Sequence, residues 1–366
     1  MAPTQDALYA ELDLALSWSE AELPQRERTK HVHALHPYLG KFIPQLVEVL
    51  LERYVPAGGH VLDPFAGSGT TLVQALESGR DATGADVAAF NVLLGSVKTA
   101  EVNPFTLESD VRDVLRRLPE APAGAPAGFV RRWYAPRAAR ELLAFRGLVD
   151  GYEHADVLRV VLARAARSAR LTTHFDLDFP RAPQRGPYWC HKHKRECRPV
   201  ERAAHFLERY GLDTVSRIKA FARVRARGRS ATVLHGDARE LAYGRRFEGV
   251  VTSPPYPGLI DYHGQHRYAY ELLELPDLGP LELGRGASKR ALTEYVDGIA
   301  AVLANARAHL RAGAPVCIVV ADRRDLYPEI LARAGLRLEE RLRRHVNRRT
   351  GRRAGEFFED VLVARA

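Results

Sequence analysis

The stretch Asp63-Pro64-Phe65-Ala66-Gly67-Ser68-Gly69-Thr70-Thr71 follows the apolar run His60-Val61-Leu62 and leads into LVQALESG (72–79). A short apolar strand ending in a carboxylate, then two glycines, then a helical pattern, describes a strand–turn–helix unit whose turn admits a ligand at close range. The first turn of such a helix offers unpaired N–H groups to an anion, while Asp63 can hold a cation. A ligand carrying both an ammonium and a carboxylate fits that pairing. No lysine follows Gly69, so the GxxxxGK[ST] phosphate loop is disfavoured. Gly79 closes the helix, and DATGADV (81–87) reads as a second strand ending at Asp86. That aspartate lies about twenty residues on, where an acidic side chain takes a ribose hydroxyl. Strand, turn, helix, strand is the first half of a doubly wound, mostly parallel α/β sheet.

Further short apolar runs continue the pattern: ATVLHGDA (231–238), EGVVTSPPY (248–256), PVCIVVAD (314–322 with its leading alanine), LRLEERL (336–342) and FEDVLVARA (358–366). Asp237 ends the third strand, where it meets a polar edge of the same ligand. Thr252-Ser253-Pro254-Pro255-Tyr256 follows GVV, and two prolines cannot continue a central ladder. The chain must leave the sheet there, which puts Ser253 and Tyr256 beside the ligand crevice. A serine hydroxyl and a nearby backbone carbonyl accept hydrogen bonds from an exocyclic amine, and a tyrosine ring stacks on a flat heterocycle.

Upstream, HALHPYLGKFIPQLVEVLLERYV (33–55) reads as a turn feeding a helix with Pro44 in its first turn, and Leu8, Leu12, Leu14 and Leu16 suggest an N-terminal helical extension over 1–30. Between the second and third strands, residues 103–230 break the α/β pattern. They hold helical periodicity, a small-residue linker (EAPAGAPAG, 120–128) and a Pro/aromatic/His/Cys-rich patch (FPRAPQRGPYWCHKHKREC, 179–197). They end in an amphipathic helix after Asp213, with Val215, Ile218, Phe221 and Val224 on its apolar side and Gly228 at its end. A crossover of this length is too long for a loop and reads as an inserted, mostly helical domain.

Charge supports the division. The 366 residues carry a net +9, with 7 Lys and 47 Arg, a bias that a GC-rich genome explains without function. Residues 103–230 hold 26 Lys+Arg against 14 Asp+Glu, a net of +12, and the remainder nets −3. The insertion therefore carries all the basic excess, as a polyanion-binding surface would. Seven more arginines crowd 341–353, between the last two strands, in position to touch phosphates. No apolar run reaches membrane-spanning length, and the N-terminal residues lack a secretory pattern. Three cysteines are too few for a disulfide framework and fit a reducing cytoplasm.

Together, DPFAGSGTT and TSPPY resemble motifs I and IV of the S-adenosylmethionine-dependent amino-methyltransferases of DNA. GADV (84–87) is similar to that family's motif II, GDA (236–238) to motif III, and HPYLGKFIPQLVEVL (36–50) to motif X. The resemblance covers 31–102 and 231–366. It implies a Rossmann-like class I methyltransferase fold, with 1–102 and 231–366 as the catalytic domain and 103–230 as the target-recognition domain. The family's usual motif orders put that domain between motifs III and IV or at a flank. Here it falls between II and III.

The resemblance also implies roles. Asp63, Pro64, Phe65, Ala66, Gly67, Ser68, Gly69 and Thr70 would surround the methionine portion of the cofactor, Asp86 the ribose, and Asp237 with Ala238 the adenine. Tyr38 and Phe42 would close the pocket, and Thr252 would border it. Ser253, Pro254, Pro255 and Tyr256 would hold the target base. The serine form of motif IV is associated most with cytosine-N4 methylation. Adenine-N6 methylation, or methylation of an RNA base, is the alternative within the same chemistry. A catalytically silent nucleic-acid-binding subunit is disfavoured by the intact motifs.

A cytosine amino group is a poor nucleophile because its lone pair is delocalised into the ring. Acceptance of its N–H bonds by Ser253 Oγ and the Pro254 carbonyl would favour the tetrahedral nitrogen that attacks a sulfonium methyl. In duplex DNA the base must be flipped out, with Tyr256 stacking on it. No cysteine sits in a Pro-Cys nucleophile context, and Cys317 in VCIVVA reads as core.

The expected partners are double-stranded DNA and, as a candidate, a cognate restriction endonuclease. Expected DNA contacts are Arg217, Lys219, Arg223 and Arg225 on the amphipathic helix and its exit, Lys192 and Lys194 in the patch, Arg267 in a loop after motif IV, and Arg348 and Arg349 in the last hairpin. Cys190, His191, His193 and Cys197 lack the usual CxxC or HxxxH pairs, so the patch reads as a basic, aromatic-flanked nucleic-acid surface and no metal is expected. His31, His33 and His36 read as polar surface or local packing.

Overall fold

The computed structural model describes residues 13–19, 21–174, 176, 180–258, 261–346 and 357–366. Its main sheet is built from β1 (His60–Asp63), β2 (Asp81–Asp86), β5 (Ala231–His235), β6 (Gly249–Thr252), β7 (Pro315–Val320), β8 (Arg337–Val346) and β9 (Phe357–Arg365); the short strands β3 (Tyr188–Cys190) and β4 (Arg195–Cys197) form a separate hairpin. The spatial order is β5-β2-β1-β6-β7-β9-β8. The first five strands run parallel and β9 runs antiparallel to both neighbours. This is the class I methyltransferase arrangement, with its antiparallel strand β9 inserted between β7 and β8.

The strand sequences explain the layering. Both faces are covered, so successive residues serve different cores. Val61, Val251, Cys317, Val319, Val361 and Val363 pack with α1 (Pro44–Tyr54) and one side of α2 (Thr70–Glu77). Their neighbours Leu62, Val250, Val316, Ile318 and Leu362 pack with α10 (Lys289–Ala308) and α11 (Tyr327–Arg333). Pro44 opens α1 as the first-turn proline. Arg80 is buried and donates to the carbonyls of Leu51, Val55 and Pro56, so it satisfies the C-terminal end of α1.

Residues 103–230 enter after α3 (Ala89–Thr99), in the crossover from β2 to β5. They form α4 (Pro104–Arg117), α5 (Gly128–Trp133), α6 (Pro136–Val149), α7 (Ala155–Ala169), the β3–β4 hairpin and α8 (Ala204–Ala222). One continuous apolar cluster joins these helices to the sheet's own. Val73 and Leu76 of α2 and Phe90 and Leu94 of α3 belong to the same cluster as Val111, Phe145, Val161 and Ile218. Within the insertion, Gly211 lets α8 pack closely on α4, because a Cβ there would lie 2.9 Å from Val111 Cγ1.

Three expectations need correcting. The final insertion helix begins at Ala204, before Asp213, and ends at Ala222, so Val224 lies beyond it and is exposed. Residues 262–273 form a helix, α9 (Tyr262–Leu273), rather than a loop, capped by the Asp261 carboxylate accepting from Gly264 N–H. In the N-terminal segment Leu14–Leu16 is a single 3-10 turn, while Leu8 and Leu12 lie outside the described residues. Asp13 N–H donates to the Arg343 carbonyl and His345 N–H to Ser17 Oγ, so this segment lies along the edge strand β8. Among the described residues no helix is long and apolar enough to cross a membrane.

Gly84, mid-strand in β2, lies under the glycine turn: a Cβ there would approach Ala66 Cβ to 2.8 Å and Leu72 Cδ1 to 3.0 Å. Gly84→Ala should therefore destabilise the fold by about 1–3 kcal/mol through overpacking, read as a lower urea midpoint with an unchanged slope.

Candidate active site

The order of the parallel strands reverses between β1 and β6, and an α/β sheet binds its ligands at that crevice. Here the carboxyl ends of both strands are tied together, with Thr252 Oγ1 donating to Asp63 Oδ1 at 2.6 Å. Phe65 N–H donates to the same oxygen, and Thr71 Oγ1 donates to the Val251 carbonyl. Burial pushes the Asp63 carboxyl up to about 6, against hydrogen bonds from Thr252 and the Phe65 N–H that favour its charged form.

Above this junction lies a cavity of about 810 Å³, counting its open mouth. Of the predicted cofactor residues, Tyr38, Phe42, Pro64, Phe65, Ala66, Gly67, Ser68, Thr70, Asp86, Asp237 and Ala238 line it. Asp63, Gly69 and Thr252 do not. They form the floor: Asp63 and Thr252 are fully buried, and Gly69 takes φ +77° where a Cβ would meet Gly95 Cα at 3.1 Å. Gly67, with φ +48°, leaves room beside the Tyr38 hydroxyl, which a Cβ would meet at 3.2 Å.

Asp86 faces the cavity from β2. Its Oδ2 accepts from Gly67 N–H and its Oδ1 from Ala88 N–H, each at 2.8 Å, which locks the glycine turn onto the second strand. Burial raises its pKa while those N–H groups oppose the rise. Asp237 is clamped by Arg239, whose guanidinium holds its carboxyl below the usual range. The buried hydroxyls Ser68 Oγ and Thr70 Oγ1 have no hydrogen-bond partner among the described residues. Two orphaned hydroxyls at a helix N-terminus suit a ligand carboxylate, and Asp86 on the cavity wall suits a cationic ligand. The cavity thus fits an amino-acid-bearing cationic cofactor.

Ser253 and Pro255 line the same cavity, whereas Pro254 and Tyr256 do not. Ser253 Oγ donates its proton to the Val319 carbonyl on β7 at 2.9 Å. Tyr256 donates its hydroxyl to Glu359 Oε1 on β9 at 3.0 Å.

Several contributors lay outside the sequence reading. Lys98, fully buried in α3, donates from Nζ to the Ser68 carbonyl at 2.6 Å and so holds the glycine turn from beneath. Glu282 lines the cavity and accepts from His263 Nδ1 at 2.9 Å. Burial lowers the His263 pKa but the Glu282 carboxylate outweighs it, leaving it raised. His266 is buried and stacks on Tyr38, with ring centroids 5.3 Å apart. His33 and His36 are core residues bonded to Gln74 and Tyr268, and burial holds both well below the usual histidine range. Cys317 is core, as expected, with its thiol pushed up to about 12 by burial.

The expected DNA contacts divide. Arg217 bonds Asp213 and the His31 carbonyl, Lys219 pairs with Glu108, and Arg225 donates to the carbonyls of Thr99 and Arg229. Arg217 and Arg225 thus fasten the insertion to the His31 turn and to the end of α3, and Lys219 ties α8 to α4 within it, which corrects their reading as a free basic face. Arg223, Lys192 and Lys194 are exposed. Arg267 is exposed too, on α9, paired with Glu271 and lying over the Phe129 ring. Arg348 and Arg349 lie outside the described residues.

The N6/N4 methyltransferase family of DNA methylases matches residues 11–92. The Type II methyltransferase M.MjaII of Methanocaldococcus jannaschii is 34% identical over 443 aligned positions, covering 96% of this chain and 83% of that protein. The Type II methyltransferase M.MvaI of Kocuria varians is 32% identical over 85 residues, covering 22% of this chain and 19% of that protein. Among solved structures, TrmN from Thermus thermophilus aligns with TM-score 0.36 and 13% identity, over 89% of this chain and 50% of that one. The chain belongs to the DNA amino-methyltransferase family. It is an S-adenosylmethionine-dependent enzyme that methylates an amino group of DNA.

Asp63 yields a pH-dependent prediction. Its folded pKa of about 6 lies above the usual 3.8, so the folded chain holds a proton that the unfolded chain releases first. Stability is therefore lost as pH rises through that window. Asp63→Asn keeps an oxygen for Thr252 and Phe65 but cannot ionise. In cofactor-free protein its advantage over the native chain should grow from pH 4 to pH 6 and then level off, reaching about 3 kcal/mol at most. Urea unfolding across pH 4–8 measures it; a difference independent of pH would contradict the assignment.

Proposed function

We propose that the chain is a site-specific DNA methyltransferase acting on the exocyclic N4 of cytosine in duplex DNA, with the target base flipped into the cavity. The observation that carries this reading is the hydrogen bond from Ser253 Oγ to the Val319 carbonyl. A serine hydroxyl has one proton and two lone pairs. With the proton directed into the sheet, Ser253 presents only lone pairs to a substrate and selects an N–H donor, which an exocyclic amine is. The serine form of motif IV favours cytosine.

S-adenosylmethionine supplies a methyl group on a positively charged sulfur, so its departure needs no general acid. The residues then have three tasks. Ser253 and the Pro254 carbonyl accept the amine's N–H bonds and localise its lone pair, and the nitrogen's surplus proton leaves to solvent after transfer. Tyr256, held through its hydroxyl by Glu359, offers its ring to the flipped base. The glycine turn, fixed by Asp86 and Lys98, would hold the amino-acid end of the methyl donor beside the base site.

The exposed basic residues Lys192, Lys194, Arg223 and Arg267 are assigned to DNA phosphates, and residues 103–230 to target recognition. The relative's Type II class extends to this chain as a proposal, with a cognate restriction endonuclease as partner.

Transfer of labelled methyl groups to unmethylated genomic DNA, followed by nucleoside mass spectrometry, tests the reading. N4-methylcytosine is expected; N6-methyladenine would redirect it to the adenine reaction, and label on RNA alone would sink it. In the same assay Ser253→Ala should lower kcat by about 10²-fold while cofactor affinity stays within about twofold of native. Replacing Lys192, Lys194 and Arg223 together by Gln should weaken DNA binding and reduce the slope of log K against log salt by up to about 3.

A further inference from the structure

The β3–β4 hairpin raises a question of its own stability. Among the described residues it pairs with no other strand, and an isolated two-stranded hairpin is marginal in water. Cys190 and Cys197 are nevertheless buried, although neither joins any of the three apolar cores. Register puts them on the same side: Cys190 pairs with Arg195, and Cys197 pairs with Tyr188, two residues from Cys190. Trp189 points to the opposite side and is 61% exposed.

Two histidines complete the group. The turn joining the strands carries His193, with Nδ1 3.4 Å from Cys197 Sγ. His174, from the segment after α7, has Nδ1 3.5 Å from Cys190 Sγ. The His174 and His193 ring centroids are 4.5 Å apart, and one potential ligand atom from each of the four residues lies within 4.8 Å of every other. A tetrahedral zinc ion, with bonds of about 2.3 Å to sulfur and 2.0–2.1 Å to nitrogen, sets adjacent sulfur and nitrogen about 3.6 Å apart. The two observed sulfur–nitrogen separations match that edge.

We infer that His174, Cys190, His193 and Cys197 form a structural zinc site that clips the β3–β4 hairpin to the chain at His174. The expectation of no metal rested on the local spacing of Cys190, His191, His193 and Cys197. In the folded chain His191 is not in the cluster, and the fourth ligand comes from sixteen residues upstream of Cys190. Two thiolates and two imidazoles suit zinc rather than a hard cation, and four protein ligands leave no open position for catalysis. The Tyr188 hydroxyl, 2.8 Å from His174 Nδ1, donates to that nitrogen and accepts from the His174 N–H. Zinc on Nδ1 would displace the first bond and leave the second. The ion would hold the exposed face bearing Trp189, Lys192 and Lys194 in one shape.

The test uses the full chain, purified without chelator from zinc-supplemented medium and analysed by plasma mass spectrometry. About one zinc per chain is expected, retained by His191→Ala and lost from Cys190→Ser/Cys197→Ser. Because loss of both thiols can unfold the hairpin, His193→Cys provides a second variant. It should keep one metal and, loaded with cobalt, shift the visible bands of a tetrahedral site toward those of three thiolates. Chelation of the native chain should open trypsin sites between Arg181 and Arg198, and added zinc should close them. The proposal is overturned by native protein containing well under one metal per chain, by full metal content in the double serine variant, or by a Cys190–Cys197 disulfide in the freshly purified chain.

Discussion

The hydrogen bond between Thr252 and Asp63 is the joint on which the catalytic half of the molecule depends. It links the ends of two adjacent parallel strands, one entering the glycine turn and the other entering the double-proline turn. Those turns lead away from each other, and the crevice between them exists because the strand order reverses at this point. A displacement of either strand end would move the cofactor floor relative to Ser253. Both residues are fully buried, so water does not compete for the bond. The same burial makes the Asp63 charge costly, and the surrounding donors offset only part of that cost.

Much of this architecture was legible in the sequence because parallel strands covered on both faces appear as short apolar runs closed by turn residues. β1, β2, β5, β6 and β7 fall within the stretches expected of them, β9 begins one residue before its stretch, and eleven of the fourteen expected cofactor residues line one cavity. What the sequence hid were properties of three-dimensional neighbourhood. Arg217, Lys219 and Arg225 look like a solvated basic face until the acidic and carbonyl partners on α4, α3 and the His31 turn come within reach. Lys98 carries no motif and is recognisable only once its ammonium is seen buried under the Ser68 carbonyl. The α9 stretch reads as a loop because its polar and aromatic residues conceal a helix whose histidines are packed rather than displayed.

The shared core changes what the insertion can mean. Residues 103–230 lean on α2 and α3, and those helices begin at the cofactor cavity. Phe90 packs against both His36 and His266, and His266 stacks on Tyr38, which itself accepts from Asn91 Nδ2 at the cavity wall. A contiguous set of packed rings therefore runs from the insertion's side of the sheet to the pocket. Contiguity is not coupling. It does mean that the insertion cannot shift as a rigid body without repacking aromatic rings that border the cofactor.

The antiparallel strand acquires a physical role by the same reasoning. β9 lies between β7 and β8, so Glu359 stands where it can accept from Tyr256, while Arg344 of β8 approaches the other carboxylate oxygen at 3.7 Å. Burial lowers the Arg344 pKa, and the nearby Glu359 carboxylate opposes that shift. Ser253 is meanwhile anchored to β7 through Val319. The double-proline turn thus has its serine fastened to one strand and its tyrosine to the next. With no backbone ladder available past Pro254, these two side-chain bonds set how the turn faces the cavity.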